Sequence, residues 1–135
     1  MQTTTTTNVT REFRDLDLNF NIHPVRKDIN KHVGDKAIIN SVKNLLSTNN
    51  YERLFNPIFG GNIRRLLFEN LDMVTAIRVE KEIYTTIQNY EPRVSLQRVT
   101  VVPEYENNAF KVRIEFNIVN RPEPVTITFQ LERLR

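Results

Sequence analysis

The two charged residues that flank Pro92 could offer a partner a hydrogen-bond acceptor and a donor side by side. Glu91 supplies a carboxylate acceptor and Arg93 a planar guanidinium fork. Proline disfavours the α conformation in the residue before it, so the sequence predicts an extended Glu91 and a helix that ends near Tyr90. Because residues two apart in an extended segment share a face, Glu91 and Arg93 are expected to point the same way. The alternative is a helix stop with two solvated charges.

Other residues suited to chemistry are few. The chain of 135 residues has no cysteine, which excludes disulfides and thiolate metal sites. Its two histidines, His23 and His32, have no HExxH or comparable ligand spacing and are expected in loops or on the surface. We therefore predict no metal, no cofactor and no catalytic residue.

The composition is that of one ordinary globular domain, with 39% hydrophobic and 26% charged residues. The net charge of +3 comes from 19 basic and 16 acidic side chains that are interspersed, unlike a nucleic-acid-binding arm. No apolar run approaches the length of about 20 residues that a membrane helix needs. Neither nucleic acid nor membrane is predicted as a partner. Nucleic-acid binding, the weaker alternative, would require these basic residues to align: Arg64, Arg65, Arg78, Lys81, Arg98, Lys111 and Arg113.

Before the predicted sheet, the sequence predicts a tail, a short strand and then helices. Residues 1–12 include five consecutive threonines and predict a flexible tail, and residues 13–135 a single domain. A short strand is predicted from the alternation of Leu16, Leu18, Phe20 and Ile22. A helix that begins near Asp35 is predicted from the spacing of Ile38, Val42, Leu45 and Leu46.

An aromatic turn segment, residues 54–61, and two predicted capping residues precede the next helices. The glycines Gly60 and Gly61 are explained by packing rather than phosphate binding, because no Gly-Lys-Ser/Thr sequence follows. Asn62 and Asp72 are each predicted to cap a helix. The longer helix has a mostly apolar face made of Ala76, Ile77, Glu80, Ile83, Tyr84, Ile87 and Tyr90.

From Val94 onward, apolar residues recur at every second position, which is the period of a β-strand. This pattern predicts three strands, with a turn at Asn107-Asn108. Val94 and Leu96 are out of parity with the residues that follow, which indicates either a strand that starts near Gln97 or a β-bulge. The fold class is α+β, with two to three helices packed on a small antiparallel C-terminal β-meander. The last strand carries little outward charge, so at a sheet edge it would be open to pairing with another chain.

The ordered motifs resemble those of a known family. They are Phe55-Asn56-Pro57-Ile58-Phe59-Gly60, Leu66-Leu67-Phe68-Glu69-Asn70 and Ile87-Gln88-Asn89-Tyr90-Glu91-Pro92-Arg93, followed by a terminal hairpin. Over residues 33–134 the chain resembles the small baseplate wedge protein of contractile-tailed phages, also called the tail sheath initiator, which has a counterpart in type VI secretion baseplates. The resemblance implies a virion protein of the tail baseplate that is made in the host cytoplasm.

The resemblance also implies which residues bind partners. Glu91, Pro92 and Arg93 would hold the chain to the helical core bundle of the baseplate wedge. The strands over residues 110–119 and 125–131 would offer an edge that the tail sheath protein extends. The predicted edge strand consists of Val125, Thr126, Ile127, Thr128, Phe129, Gln130 and Leu131. Contacts of the N-terminal region with tail tube or neighbouring baseplate proteins stay open.

Members of this family have carried a lysozyme label, so a cell-wall-degrading glycosidase is the main alternative function. Such an enzyme needs two carboxyl groups, one of them a general acid. Glu69, Asp72 and Glu91 are the candidates, but they lie at predicted helix ends or joints, where capping and ion pairing explain them. We therefore predict a structural protein without enzyme activity.

Overall fold

The computed structural model describes residues 13–17, 21–22, 24–28, 31–119 and 121–134. The chain divides into two compact units, Met1–Ala37 and Ile38–Arg135. In the first unit, β1 (Arg14–Leu16) pairs antiparallel with β2 (Lys31–Val33). The strand predicted from residues 16 to 22 is thus confirmed only at Leu16, and Leu18 and Phe20 lie outside the described residues. The flexible tail over residues 1–12 and the single domain over residues 13–135 stay predictions.

In the part of the chain that the structure describes, three helices precede the main sheet: α1 (Asp35–Ser47), α2 (Ile63–Leu66) and α3 (Met73–Tyr90). The apolar face predicted for α1 is confirmed, since Ile38, Val42, Leu45 and Leu46 are all buried. The cap predicted for α3 is also confirmed, because the Asp72 carboxylate accepts a hydrogen bond of 2.7 Å from the Thr75 N–H. This bond holds the pKa of Asp72 below its ordinary value.

The buried face of α3 differs from the prediction at two positions. Ile77 and Tyr84 are 60% and 43% exposed, whereas Val79 is fully buried. The buried face follows Ala76, Val79, Ile83 and Ile87, and it includes the hydroxyl side chains of Thr75 and Thr86. The prediction was wrong at Ile77 and Tyr84 because hydrophobicity alone cannot choose between adjacent faces of a helix that carries apolar residues on both.

The turn before α2 is shaped by close packing. A Cβ atom at Gly61 would lie 2.5 Å from Oγ1 of Thr86 on α3, and one at Gly60 would lie 2.4 Å from the backbone oxygen of Thr48. Packing therefore explains both glycines, as predicted. Asn62 occupies the N-cap position of α2, but its side chain makes no capping bond, contrary to prediction. Its backbone N–H instead donates to Oε1 of Glu82, at 2.8 Å.

The sheet is an antiparallel meander of β3 (Val94–Glu104), β4 (Ala109–Ile118) and β5 (Pro124–Glu132), in that spatial order. The pairing of β3 with β4 shifts register between Leu96 and Arg98, so a β-bulge explains the broken parity and the strand starts at Val94. Asn108 adopts a positive φ of 48° in the β3–β4 turn, which asparagine tolerates well.

The core of the second unit centres on β4, the middle strand. Its inward side chains, at most 2% exposed, are Phe110, Val112, Ile114, Phe116 and Ile118. Burying an apolar side chain of this size contributes about 1.5–3 kcal/mol relative to leaving it exposed. Helix α3 packs against β3, and the whole is the predicted α+β fold with a C-terminal β-meander.

Candidate protein-binding surfaces

Glu91 and Arg93 bind each other and Ser41 in one compact cluster, which we call the Glu91 clasp. Arg93 donates from Nε to Oε1 of Glu91, at 2.6 Å, and from Nη2 to Oε2, at 2.8 Å. The Ser41 hydroxyl donates to the same Oε2 at 2.6 Å and lies 3.0 Å from Nη2 of Arg93. Both carboxylate oxygens of Glu91 are therefore occupied.

The backbone around Pro92 fixes the position of this cluster. The Glu91 N–H still donates to the Ile87 carbonyl at 2.9 Å, although the φ and ψ of Glu91, −125° and 78°, are no longer helical. One residue beyond the proline, the Arg93 carbonyl accepts from the Val119 N–H at 2.9 Å. The clasp therefore joins α1, the end of α3 and the ends of β3 and β4.

The electrostatics of the clasp favour an ionised carboxylate. Burial alone would raise the pKa of Glu91, but the hydrogen bonds from Arg93 and Ser41 and the guanidinium charge outweigh it and lower the pKa. The Glu91 side chain is 4% exposed and that of Arg93 is 24% exposed. A buried carboxylate held in this way stays charged at neutral pH.

The sequence predicted part of this arrangement. The helix end at Tyr90 and the shared direction of Glu91 and Arg93 are confirmed, while the alternative of two solvated charges is wrong for Glu91. Ser41 was missed. A signal was present, because Ser41 is three residues after Ile38 and one before Val42, on the buried face of α1.

The segment between α1 and α2 presents apolar side chains to solvent; we call residues 51–59 the aromatic loop. Leu54, Phe55 and Ile58 are 93%, 102% and 72% exposed. The loop is braced on the end of α3, because the Tyr90 hydroxyl donates to the Ile58 carbonyl at 2.6 Å and the Tyr90 ring lies 5.0 Å from that of Phe59. Adjacent exposed apolar side chains of this kind are typical of a protein-binding surface.

Among the described strands, β5 lies at the edge of its sheet, and its outer side has no pairing strand. Ala109 of β4 lies opposite Glu132 of β5, so the next pair along the two strands is Asn108 and Arg133. The Arg133 N–H donates to the Asn108 carbonyl at 3.0 Å, which makes this a hydrogen-bonded pair. Hydrogen-bonded and non-bonded pairs alternate in antiparallel strands, so Ile127 and Phe129 direct their backbone groups toward β4. The backbone groups that point away from β4 are therefore those of Thr126, Thr128 and Gln130. No strand among the described residues pairs with them.

The carboxylates considered for catalysis each have a structural partner. Oε2 of Glu69 forms an ion pair with Arg78 at 2.9 Å, Asp72 caps α3, and Glu91 belongs to the clasp. The pKa values of Asp72 and Glu91 are lowered by these hydrogen bonds. A glycosidase general acid requires the opposite shift.

The other predicted ligand types form no site in the described residues. No group of three or more His, Cys, Asp or Glu side chains there could hold a metal ion, and His23 lies outside that part of the chain. Of the basic residues considered for nucleic acid, Arg78 is paired with Glu69. Among the described helices, none is long and apolar enough to cross a membrane.

Comparison with known proteins identifies the family. The sequence model of the family described as "Baseplate wedge protein gp25" matches residues 32–123. The baseplate wedge protein gp25 of Enterobacteria phage T4 is 31% identical over 118 residues, which cover 87% of this chain and 89% of that protein.

Two solved structures share the fold. The first is in the cryo-EM baseplate of the anti-feeding prophage, with a TM-score of 0.72 and 20% identity over 83% of this chain and 90% of that one. The second is a crystal structure of a Geobacter sulfurreducens protein whose name assigns it as a tail lysozyme, with a TM-score of 0.67 and 24% identity over 73% of this chain and 89% of that one.

The fold and these relatives thus indicate a structural protein of the tail baseplate. On the match of the family model and of the phage T4 protein, the chain belongs to the baseplate wedge protein gp25 family. It is accordingly a virion protein of the tail baseplate.

Proposed function

We propose that the chain acts without enzyme activity as a connector, bound to the baseplate wedge on one side and initiating the tail sheath on the other. The observation that carries this proposal is the open edge of β5, where Thr126, Thr128 and Gln130 direct their backbone groups away from β4. In β-augmentation, backbone pairing supplies affinity and alternating side chains supply register. A strand of the sheath protein is the proposed partner of this edge.

The wedge contact is proposed at the Glu91 clasp and the aromatic loop beside it. Glu91 is buried and saturated, so it acts by fixing Arg93 rather than by touching the partner. Pro92 is exposed and Arg93 partly exposed, so these two residues can reach a partner directly. Phe55 and Ile58 supply apolar contact area on the loop that Tyr90 braces.

The β5 edge is tested by reconstituting sheath assembly on baseplates that carry Thr128→Pro. The substitution removes an N–H that faces the open edge and leaves the bonds to β4 intact. We expect wedge incorporation to persist and sheath assembly to be lost, whereas the matched control Thr128→Ala, which retains the N–H, supports both. Normal sheath assembly on Thr128→Pro baseplates would refute the proposed edge.

The wedge contact is tested by the binding of purified wedge proteins to Arg93→Ala and Phe55→Ser. Both are expected to bind the wedge more weakly while the fold, followed by circular dichroism, is retained. Tyr105→Ser is the control, because Tyr105 is a 70% exposed aromatic residue in the β3–β4 turn, outside the proposed surface. Unchanged binding by both Arg93→Ala and Phe55→Ser would contradict the wedge contact.

A further inference from the structure

A groove of 470 Å³ lies between α1, α2 and β5, close to the open edge. Its apolar walls are formed by Leu46, Ile63, Leu67, Phe129, Leu131 and Leu134. Leu134 is held there by a hydrogen bond of 3.0 Å from its N–H to the Leu67 carbonyl. The groove is therefore a feature of the packed second unit.

The groove lies where side chains of an added strand would fall. Phe129 and Leu131 line it, and Gln130 between them directs its backbone groups toward the open edge. In a strand paired with that edge, every second side chain would lie on the face that carries Phe129 and Leu131. One such side chain would enter the groove.

The lining of the groove also carries positive charge. Lys43 and Arg64, both exposed, are among its lining residues, and no acidic residue is. The carboxylate of Glu52 interacts with Arg64, but Glu52 does not line the groove. Two cations beside an apolar slot are complementary to a segment that carries a carboxylate next to an apolar side chain.

We propose that this groove selects the strand that pairs with β5, by receiving a large apolar side chain from it and pairing Lys43 and Arg64 with an acidic residue on the same face. In a β-strand that acidic residue is two positions before or after the apolar one. The inference rests on the proposed pairing at β5, and it adds a sequence rule for the partner. The occupant is an extended segment of another protein with that pattern.

The test measures the fluorescence anisotropy of three labelled peptides as the 135-residue chain is added. The peptides share an alternating Thr/Val strand sequence and differ at two positions that are two residues apart. These two positions hold Leu and Glu in the first peptide, Leu and Lys in the second, and Ser and Glu in the third. We expect the Leu/Glu peptide to bind about tenfold more tightly than either of the others. Equal binding of the three peptides, or no binding, would overturn the groove's role.

Charge-reversed variants of the chain supply the matched comparison. Lys43→Glu with Arg64→Glu is expected to invert the preference, so that the Leu/Lys peptide binds more tightly. Arg65→Glu with Lys81→Glu changes the net charge equally at exposed residues that do not line the groove, and the original preference is expected to persist. An identical response of the two double variants would show a non-specific charge effect and contradict the inference.

The variant Thr128→Pro separates this inference from the proposed function. It is expected to abolish binding of all three peptides. If the three peptides bound equally well and Thr128→Pro abolished their binding, the proposed pairing at β5 would be supported. The proposed selectivity of the groove would be refuted. If the peptides bound with the expected preference and Thr128→Pro left this binding unchanged, the groove would act without strand pairing. That result would overturn the inference.

Discussion

Ser41 and Glu91, 50 positions apart in the chain, are joined by a hydrogen bond of 2.6 Å from the serine hydroxyl to the carboxylate. The bond links the middle of α1 to the residue that directly follows α3. Because Arg93 binds the same carboxylate, the segment around Pro92 is held by tertiary structure and not by the proline alone. The motif that the sequence indicated as a contact point is thus part of the fold.

Replacing Ser41 by alanine tests how much this link contributes to stability. We expect Ser41→Ala to lower the free energy of unfolding by about 1 kcal/mol, because the Glu91 carboxylate loses a partner. Ser47→Ala is the control, since the Ser47 hydroxyl is exposed and bonds only to the Lys43 carbonyl in its own helix. It should change stability by less than about 0.5 kcal/mol. Urea unfolding measures both values, and equal losses would contradict the role of Ser41.

The Glu91 clasp predicts a dependence of stability on pH. The folded-state pKa of Glu91 is lowered, so its contribution is complete above the unfolded-state value of 4.5 and is lost as the pH falls through the folded-state pKa. Glu91→Gln resembles the protonated form. We expect it to cost about 1–3 kcal/mol at pH 7, and the difference from wild type should vanish in acid.

The measurement is urea unfolding of both proteins from neutral to acidic pH. Glu106→Gln, at an exposed position in the β3–β4 turn, is the control and should follow the wild type throughout. A stability difference between wild type and Glu91→Gln that stays constant as the pH falls would show that the carboxylate charge is not what stabilises the clasp.

The close approach of Gly61 to α3 predicts a steric coupling between Gly61 and Thr86. A Cβ atom there would lie 2.5 Å from Oγ1 of Thr86, so we expect Gly61→Ala to destabilise the fold by about 1–3 kcal/mol. In a Thr86→Ala background the obstructing atoms are absent and most of this cost should disappear. A double-mutant cycle of unfolding free energies measures the coupling.

Gly60→Ala provides the contrast for that cycle. A Cβ atom at Gly60 would meet the backbone oxygen of Thr48, and Gly60 has a φ of 102°. Thr86→Ala should therefore give no rescue of Gly60→Ala. If the Gly61→Ala cost were the same with and without Thr86, close packing against α3 would not be the reason for this glycine.

The structural role predicts that the protein does not degrade cell walls. Asp72 and Glu91 are held ionised by hydrogen bonds, and Glu69 is paired with Arg78. We expect no fall in turbidity of a cell-wall suspension with the wild type, with a commercial lysozyme as the positive control. Clearing by the wild type that Glu91→Gln abolished would establish a catalytic carboxylate and overturn this account.

The sequence predicted those features that local chemistry determines. The cap at Asp72, the helix end at Tyr90 and the alternation of β4 follow from neighbouring residues and are present as predicted. The partners of Glu91 and the position of the open groove depend on contacts between segments far apart in the chain, such as Ser41 with Glu91. Periodicity does not encode these contacts. The same reason explains the failure to choose the buried face of α3 at Ile77.

Amide hydrogen exchange at β5, read residue by residue by NMR, shows directly whether sheath protein pairs with this strand. Exchange would proceed in the assembled complex with sheath protein, and the chain would then be dissociated for detection. We predict that Thr126, Thr128 and Gln130 exchange rapidly in the free chain and become protected in the complex. Ile127 and Phe129, whose N–H groups face β4, should be protected in both states. Amides at Thr126, Thr128 and Gln130 that exchange equally fast in the free chain and in the complex would contradict the account.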